Sequence, residues 1–132
     1  MTSFYFVGRI YGEKFTLVKI DELFNDEDVA CEVAEQFGDC DENYLGLIGF
    51  LFSVMSADEA EYLAGRAFCD GAYYNEKENY VELYYRTDQS RGKKFWEELV
   101  KRVKGIEKVE AFADPDYPED IEEIGDNMEV YE

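Results

Sequence analysis

The sequence predicts a single α+β domain in which a mixed or antiparallel sheet packs with about three helices. Runs rich in β-branched and aromatic residues favour two hairpins, and three amphipathic segments with capping signals favour helices. Hydrophobic residues make up 46% of the 132 residues and aromatics 17%, which is enough apolar surface to form a core. A C-terminal β-α-β-like unit after a hairpin fits a ferredoxin-like sheet, and other mixed sheets fit it too.

The N-terminal region is predicted to form a hairpin followed by a helix. Residues 4–11 and 15–20 are strand-like runs separated by Gly12-Glu13-Lys14. Asn25 is the predicted cap of the next helix, and Gly38 is its predicted end. Four carboxylates fall in a narrow stripe on this helix, opposite its apolar face: Asp28, Glu32, Glu35 and Asp39.

The central region contains one ambiguous segment and two clearer ones. Residues 44–55 are nearly all apolar, and their periodicity does not separate a buried strand from a buried helix. Ser56 and Glu59 form a capping box, which predicts a helix running to about Phe68. Residues 69–71 are then expected to turn the chain, and residues 72–74 and 80–85 to pair as the second hairpin.

The C-terminal region is predicted to complete the domain. A helix is expected over residues 90–104, ending at Gly105, followed by a strand over 106–112. The body then spans 1–113, and 114–132 is an acidic segment that we expect to dock on it. A short helix over 118–124 and a terminal extended piece are the expected means of docking. The basic side chains of the 90–104 helix are expected to hold this segment or to form a homodimer contact.

Residue usage argues against several kinds of chemistry. Histidine is absent, which removes the commonest general base and metal ligand, and the three cysteines form no Cys-x-x-Cys pair. Asp39, Asp41 and Asn43 match the start of an EF-hand loop, but Tyr44 and Phe50 stand where that loop needs glycine and glutamate. We therefore predict no catalytic residue, no cofactor and no metal. Without an apolar span or a basic leader, a soluble cytoplasmic protein is expected.

A second interpretation rests on residues 89–94, Gln-Ser-Arg-Gly-Lys-Lys, between a predicted strand and a predicted helix. Free backbone N–H groups at a helix start can bind anions. The segment resembles the acyl-CoA site of the GNAT acetyltransferases, whose pattern is Gln/Arg-x-x-Gly-x-Gly/Ala, with Lys94 in the final position. This resemblance implies an acyltransferase that binds acyl-CoA there.

Charge is the main functional signal. The chain carries 32 acidic and 13 basic residues, for a net charge of −19, and residues 20–65 and 109–132 contain no lysine or arginine. A shared acidic surface is predicted from these two regions. Its expected members are Asp21, Glu22, Asp28, Glu32, Glu35, Asp39, Asp41, Glu42, Asp114, Asp116, Glu119, Asp120, Glu122 and Glu123. Tyr44, Tyr117 and Tyr131 are candidate aromatic anchors beside it.

Such a surface predicts a binding protein that mimics the charge of a nucleic acid. Proteins that bind duplex DNA through its backbone use dense lysine and arginine surfaces, which an array of carboxylates can occupy. Inhibitors of restriction or CRISPR nucleases encoded by phages and other mobile elements form one such class. An immunity protein that neutralises a basic toxin nuclease is the alternative with the same physics. The chain itself is not expected to bind nucleic acid or membranes.

Overall fold

The computed structural model describes residues 4–38, 43–87, 93–118 and 129–132. These residues form five helices and one antiparallel five-stranded sheet, which confirms the predicted α+β class. The strands are β1 (Phe4–Gly12), β2 (Ala67–Asn75), β3 (Tyr80–Thr87), β4 (Ile106–Ala113) and β5 (Glu129–Tyr131). The helices are α1 (Lys14–Asn25), α2 (Glu27–Phe37), α3 (Leu47–Leu51), α4 (Ala57–Ala64) and α5 (Lys93–Arg102).

The strand order is β2-β3-β1-β4-β5. β1 lies between β3 and β4 and pairs with both, while helical connections join β1 to β2 and β3 to β4. This connectivity is the split β-α-β arrangement of ferredoxin-like sheets, one of the topologies that the sequence predicted. β5 extends the sheet beyond β4, with Tyr131 opposite Val109.

One face of the sheet carries the core. Side chains alternate between the two faces of a strand, so the pairs Phe6–Tyr85 and Ile10–Val81 point to the same side. All four residues are at most 1% exposed. α1 packs over β2 and β3, and α5 packs over β4 and β5. The core therefore lies between the sheet and a layer of helices.

Along the chain, the helices pack as a series in which each one contacts the next, from α1 to α5. Ser56 caps α4 by accepting the N–H of Glu59 at 3.1 Å, as its capping box predicted. Gly38 ends α2, also as predicted. In this series, α3 and α4 lie between α2 and α5.

The predicted N-terminal hairpin is wrong. Residues 15–20 belong to α1, which buries Thr16, Leu17, Ile20 and Leu23 against the sheet. This spacing follows the helical period, so the tertiary contact of that face outweighs the strand propensity of the β-branched residues. β1 consequently pairs with β3 and β4 instead of with the segment that follows it.

Smaller predictions are also corrected. The cap of α2 is Asp26, because Asn25 is the last residue of α1. Residues 69–71 do not form a turn but lie within β2, where the pairing register with β3 shifts between Cys69 and Gly71. α4 ends at Ala64 because Gly65 follows it with a positive φ of 63°.

Other predictions agree with the described residues. The second hairpin and the strand over 106–112 are confirmed as β2–β3 and β4. The ambiguous segment 44–55 contains the short helix α3. α5 confirms a helix within the predicted range 90–104, of which residues 90–92 lie outside the described ranges. The predicted helix over 118–124 also lies outside them, apart from residue 118.

Candidate functional site

The exposed face of α2 carries three of the predicted surface carboxylates, which we call the acidic stripe: Asp28, Glu32 and Glu35. All three side chains are exposed. The helix buries Ala30, Ala34 and Phe37. At 100° per residue, the stripe lies opposite this buried side, so α2 presents its carboxylates directly to solvent.

Local capping defines the start of the helix that carries the stripe. The Asp26 carboxylate accepts the backbone N–H groups of Asp28 at 3.0 Å and Val29 at 3.3 Å. Glu27 and Asp28 occupy the first turn, where the positive end of the helix dipole favours negative charge. The acidic residues of this turn therefore stabilise the helix as well as contributing charge to its surface.

Asp21 and Glu22 lie on α1, the helix that packs against α2. Glu22 is exposed and Asp21 is half-buried. Asn25 donates to the Asp21 carboxylate at 2.8 Å and to the carbonyl oxygen of Ala72 in β2 at 2.9 Å. The two predicted residues are thus held on a helix anchored to the sheet, next to the helix that bears the acidic stripe.

The carboxylates of α1 and α2 take part in none of the salt bridges within the described part of the chain. The described salt bridges are Arg9–Glu82, Lys14–Glu76, Arg86–Asp70, Arg102–Glu59 and Arg102–Glu98. Arg102 thus joins α4 to α5. The expectation that the basic residues of α5 hold the acidic C-terminal segment or form a homodimer contact stays a prediction. The acidic stripe keeps its charge available to an external cation.

Two predicted members of the surface lie on the other side of the molecule. Asp114 is only 5% exposed, and its carboxylate accepts the N–H of Asp116 at 2.9 Å to shape a turn. Tyr117 of this turn stacks on Tyr5 of β1, with ring centroids 3.8 Å apart. Asp116 is exposed, but it belongs to the sheet side of the molecule and not to the helical layer. The expected single surface is therefore not formed by these residues.

The remaining predicted surface residues lie outside the described ranges: Asp39, Asp41, Glu42, Glu119, Asp120, Glu122 and Glu123.

Two of the three candidate aromatic anchors are core residues. Tyr44 and Tyr131 are each 5% exposed, which removes them from any contact surface.

An open cleft of about 520 Å³ borders the acidic stripe. We call it the α2–α3 cleft, because one wall comes from α2 and the other from α3 and the loop after it. Its lining residues are Val29, Glu32, Val33, Gln36, Phe50, Leu51, Ser53 and Met55. Glu32 belongs to both the stripe and the cleft, so charge and apolar surface meet at this residue.

The sheet face turned away from the helices was not predicted from the sequence. The alternation in β3 places Tyr80, Glu82, Tyr84 and Arg86 on this face. Tyr73 of β2 lies beside them, 65% exposed, with its ring edge-on to Tyr84. The period-two pattern of residues 80–86 was the available sequence signal.

Charges on this sheet face are paired internally. Arg9 donates to Glu82 at 2.8 Å and lies over the Tyr80 ring, 5.2 Å from its centroid. Tyr84 donates to the other oxygen of the Glu82 carboxylate at 2.5 Å, and this hydrogen bond is the largest cause that raises the pKa of Tyr84 to about 12. Lys108 lies 4.6 Å from the centre of the Tyr11 ring. The face is therefore more nearly neutral than the acidic stripe.

Comparison of the chain with protein-family models, curated proteins and solved structures finds no match. Within the described ranges, no group of three or more acidic or cysteine side chains is placed to hold a metal ion. None of the described helices is long and apolar enough to cross a membrane. Residues 89–92 of the GNAT-like segment lie outside the description, so the acyl-CoA interpretation stays a prediction.

Proposed function

We propose that the chain is a stoichiometric binding protein whose helical layer presents carboxylates to the basic surface of a nucleic-acid-handling protein, such as a nuclease. One observation carries the proposal: Asp28, Glu32 and Glu35 are exposed on one helix face and have no salt bridge within the described residues. In the proposed complex, these carboxylates occupy sites on the partner that otherwise bind the phosphates of a nucleic acid. The binding protein thereby competes with the partner's substrate.

The spacing of the acidic stripe is of the right order for this role. At 1.5 Å of rise per residue, Asp28 and Glu32 are about 6 Å apart along the helix axis, and Glu32 and Glu35 about 4.5 Å. Each strand of duplex DNA carries one charge per ~3.4 Å of its axis. α2 alone is therefore sparser than DNA, and Glu22 on the neighbouring helix supplies further charge.

The net charge of −19 supports the same role over longer distances. Opposite fields accelerate association and make it sensitive to ionic strength, because salt screens exposed charges beyond about 10 Å at 0.1 M. A basic partner is expected to bind quickly at low salt and to be released as salt rises.

Capture from an extract of the native cells tests the proposal. The immobilised chain is compared with a triple variant, Asp28→Asn, Glu32→Gln and Glu35→Gln, and with a control triple, Glu61→Gln, Glu78→Gln and Glu107→Gln. The control removes the same charge from exposed residues on α4, on the turn between β2 and β3, and on β4. We expect the wild type and the control to retain a nucleic-acid-binding protein that duplex DNA or added salt displaces, and the stripe variant to lose it.

Equal retention by the stripe variant, or a complex indifferent to both DNA and salt, would overturn the proposal. Identification of the retained protein by mass spectrometry also decides between a restriction or CRISPR nuclease and a toxin nuclease as the target.

A further inference from the structure

We propose that the α2–α3 cleft receives a large apolar side chain from a basic segment of the partner, which adds an anchor to the electrostatic contact. The inference rests on the proposed function and specifies the partner segment: cationic residues flanking at least one leucine-like or aromatic residue. The acidic stripe then binds the flanking cations while the cleft buries the apolar residue.

The composition of the cleft supports an apolar occupant. Val29, Val33, Phe50 and Leu51 line it and are half-buried, whereas Met55 lines it at 4% exposure. Phe50 packs edge-on against Phe37 at 5.4 Å between ring centroids, which connects the cleft wall to the core. The volume of about 520 Å³ falls within the range of roughly 300–1,000 Å³ typical of ligand sites.

The position of the charge specifies what flanks that occupant. At 100° per residue along α2, the cleft-lining residues Val29, Val33 and Gln36 lie on one side of Glu32. The other two carboxylates of the stripe, Asp28 and Glu35, lie on its opposite side. Glu32 is the only charged residue that lines the cleft among the described residues. A segment entering the cleft therefore passes carboxylates on one rim, and opposite charge on that segment matches them.

Two synthetic peptides provide a direct test in 15N-labelled protein. The first is an amphipathic 14-residue peptide of lysine and leucine, and the second replaces every leucine with serine at the same charge. We expect the lysine–leucine peptide to bind at least tenfold more tightly, because burial of one apolar side chain corresponds to roughly that factor. Its largest amide shifts are expected at residues of α2 and α3. Equal affinity, or shifts located elsewhere, would overturn the inference.

Two variants separate this inference from the function on which it rests. Gln36→Trp fills the cleft from an exposed helical position and is expected to weaken the lysine–leucine peptide roughly tenfold while leaving the lysine–serine peptide unchanged. Val33→Thr makes the cleft more polar with little change in size and is expected to act in the same direction. The stripe triple variant should weaken both peptides. If neither cleft variant changes binding while the stripe variant does, the inference is wrong and the proposed function stands.

Discussion

The indole N–H of Trp96 donates a hydrogen bond to the phenol oxygen of Tyr85 across 3.2 Å, joining α5 to β3 inside the core. The rings meet edge to face at 5.8 Å between centroids, and neither residue is more than 1% exposed. This contact attaches α5 to an interior strand of the sheet. The single tryptophan of the chain therefore reports on the packing between helices and sheet.

Tyr85→Phe is expected to lower the free energy of unfolding by about 1–3 kcal/mol, because it removes the acceptor of a buried N–H group. Urea unfolding followed by Trp96 fluorescence measures the change. Tyr73→Phe is the control, since Tyr73 is 65% exposed. Equal effects of the two substitutions would show that the hydrogen bond contributes nothing measurable.

Gly12→Ala is expected to cost about 1–3 kcal/mol of stability through overpacking. A Cβ atom at Gly12 would lie 2.0 Å from the carbonyl oxygen of Gly105, and that oxygen accepts the N–H of Glu13 at 2.8 Å. Thermal or urea unfolding measures the loss. Gly71→Ala serves for comparison, because the nearest atom to its added Cβ is 3.8 Å away, and its cost should be clearly smaller.

Glu59→Gln is expected to destabilise the protein at neutral pH but not in acid. The hydrogen bond from Arg102, 2.7 Å at its shorter contact, is the main cause that lowers the pKa of Glu59 below its usual value. The stabilisation is therefore present above the ordinary glutamate pKa and disappears as the pH falls through the lowered pKa.

Unfolding midpoints of the wild type and Glu59→Gln should consequently differ at pH 7 and converge in acid, once the pH lies below the lowered pKa of Glu59. Glu61→Gln is the control on the same helix, where the exposed carboxylate has no salt bridge within the described residues. A constant difference between wild type and Glu59→Gln at pH 7 and in acid would contradict the assignment of the ion pair.

Cys69 is expected to resist alkylation in the folded protein. The residue is 3% exposed, and burial is the main cause that raises the pKa of its thiol to about 12, so little thiolate exists at pH 8. Brief treatment with iodoacetamide, followed by peptide mass spectrometry, should modify the half-buried Cys31 before Cys69. Addition of denaturant should remove the difference. Rapid native labelling of Cys69 would show that β2 opens readily.

The sequence predicted the elements whose signals are local. The Ser56 capping box, the glycine that ends α2 and the alternating strands of the second hairpin depend on neighbouring residues, and each is present. Residues 15–20 were misassigned because their β-branched composition competed with a helical spacing, and only packing of that spacing against the sheet decides between the two.

The candidate site was predictable only in part for the same reason. The acidic stripe follows from helical geometry within α2. Prediction of the cleft requires the relative position of α2 and α3. α3 lies in a segment whose hydrophobic period favoured neither a strand nor a helix. Asp114 was predicted at the surface from its charge alone. Its carboxylate instead accepts the N–H of Asp116 within a turn, and its own N–H donates to the carbonyl oxygen of Tyr5 in β1.

The serial packing of the helices has an electrical consequence. α2 carries four carboxylates and no cation, whereas α5 carries Lys93, Lys94, Lys101 and Arg102 against two glutamates, and α3 and α4 lie between them in the series. α4, next to α5 in the series, adds Asp58, Glu59 and Glu61, so α2 is the most negative of the described helices and α5 is the only one of them with a net positive charge. An approaching cationic surface therefore attracts α2 more strongly than α5. We expect this difference to favour encounters in which α2 leads, before any atoms touch.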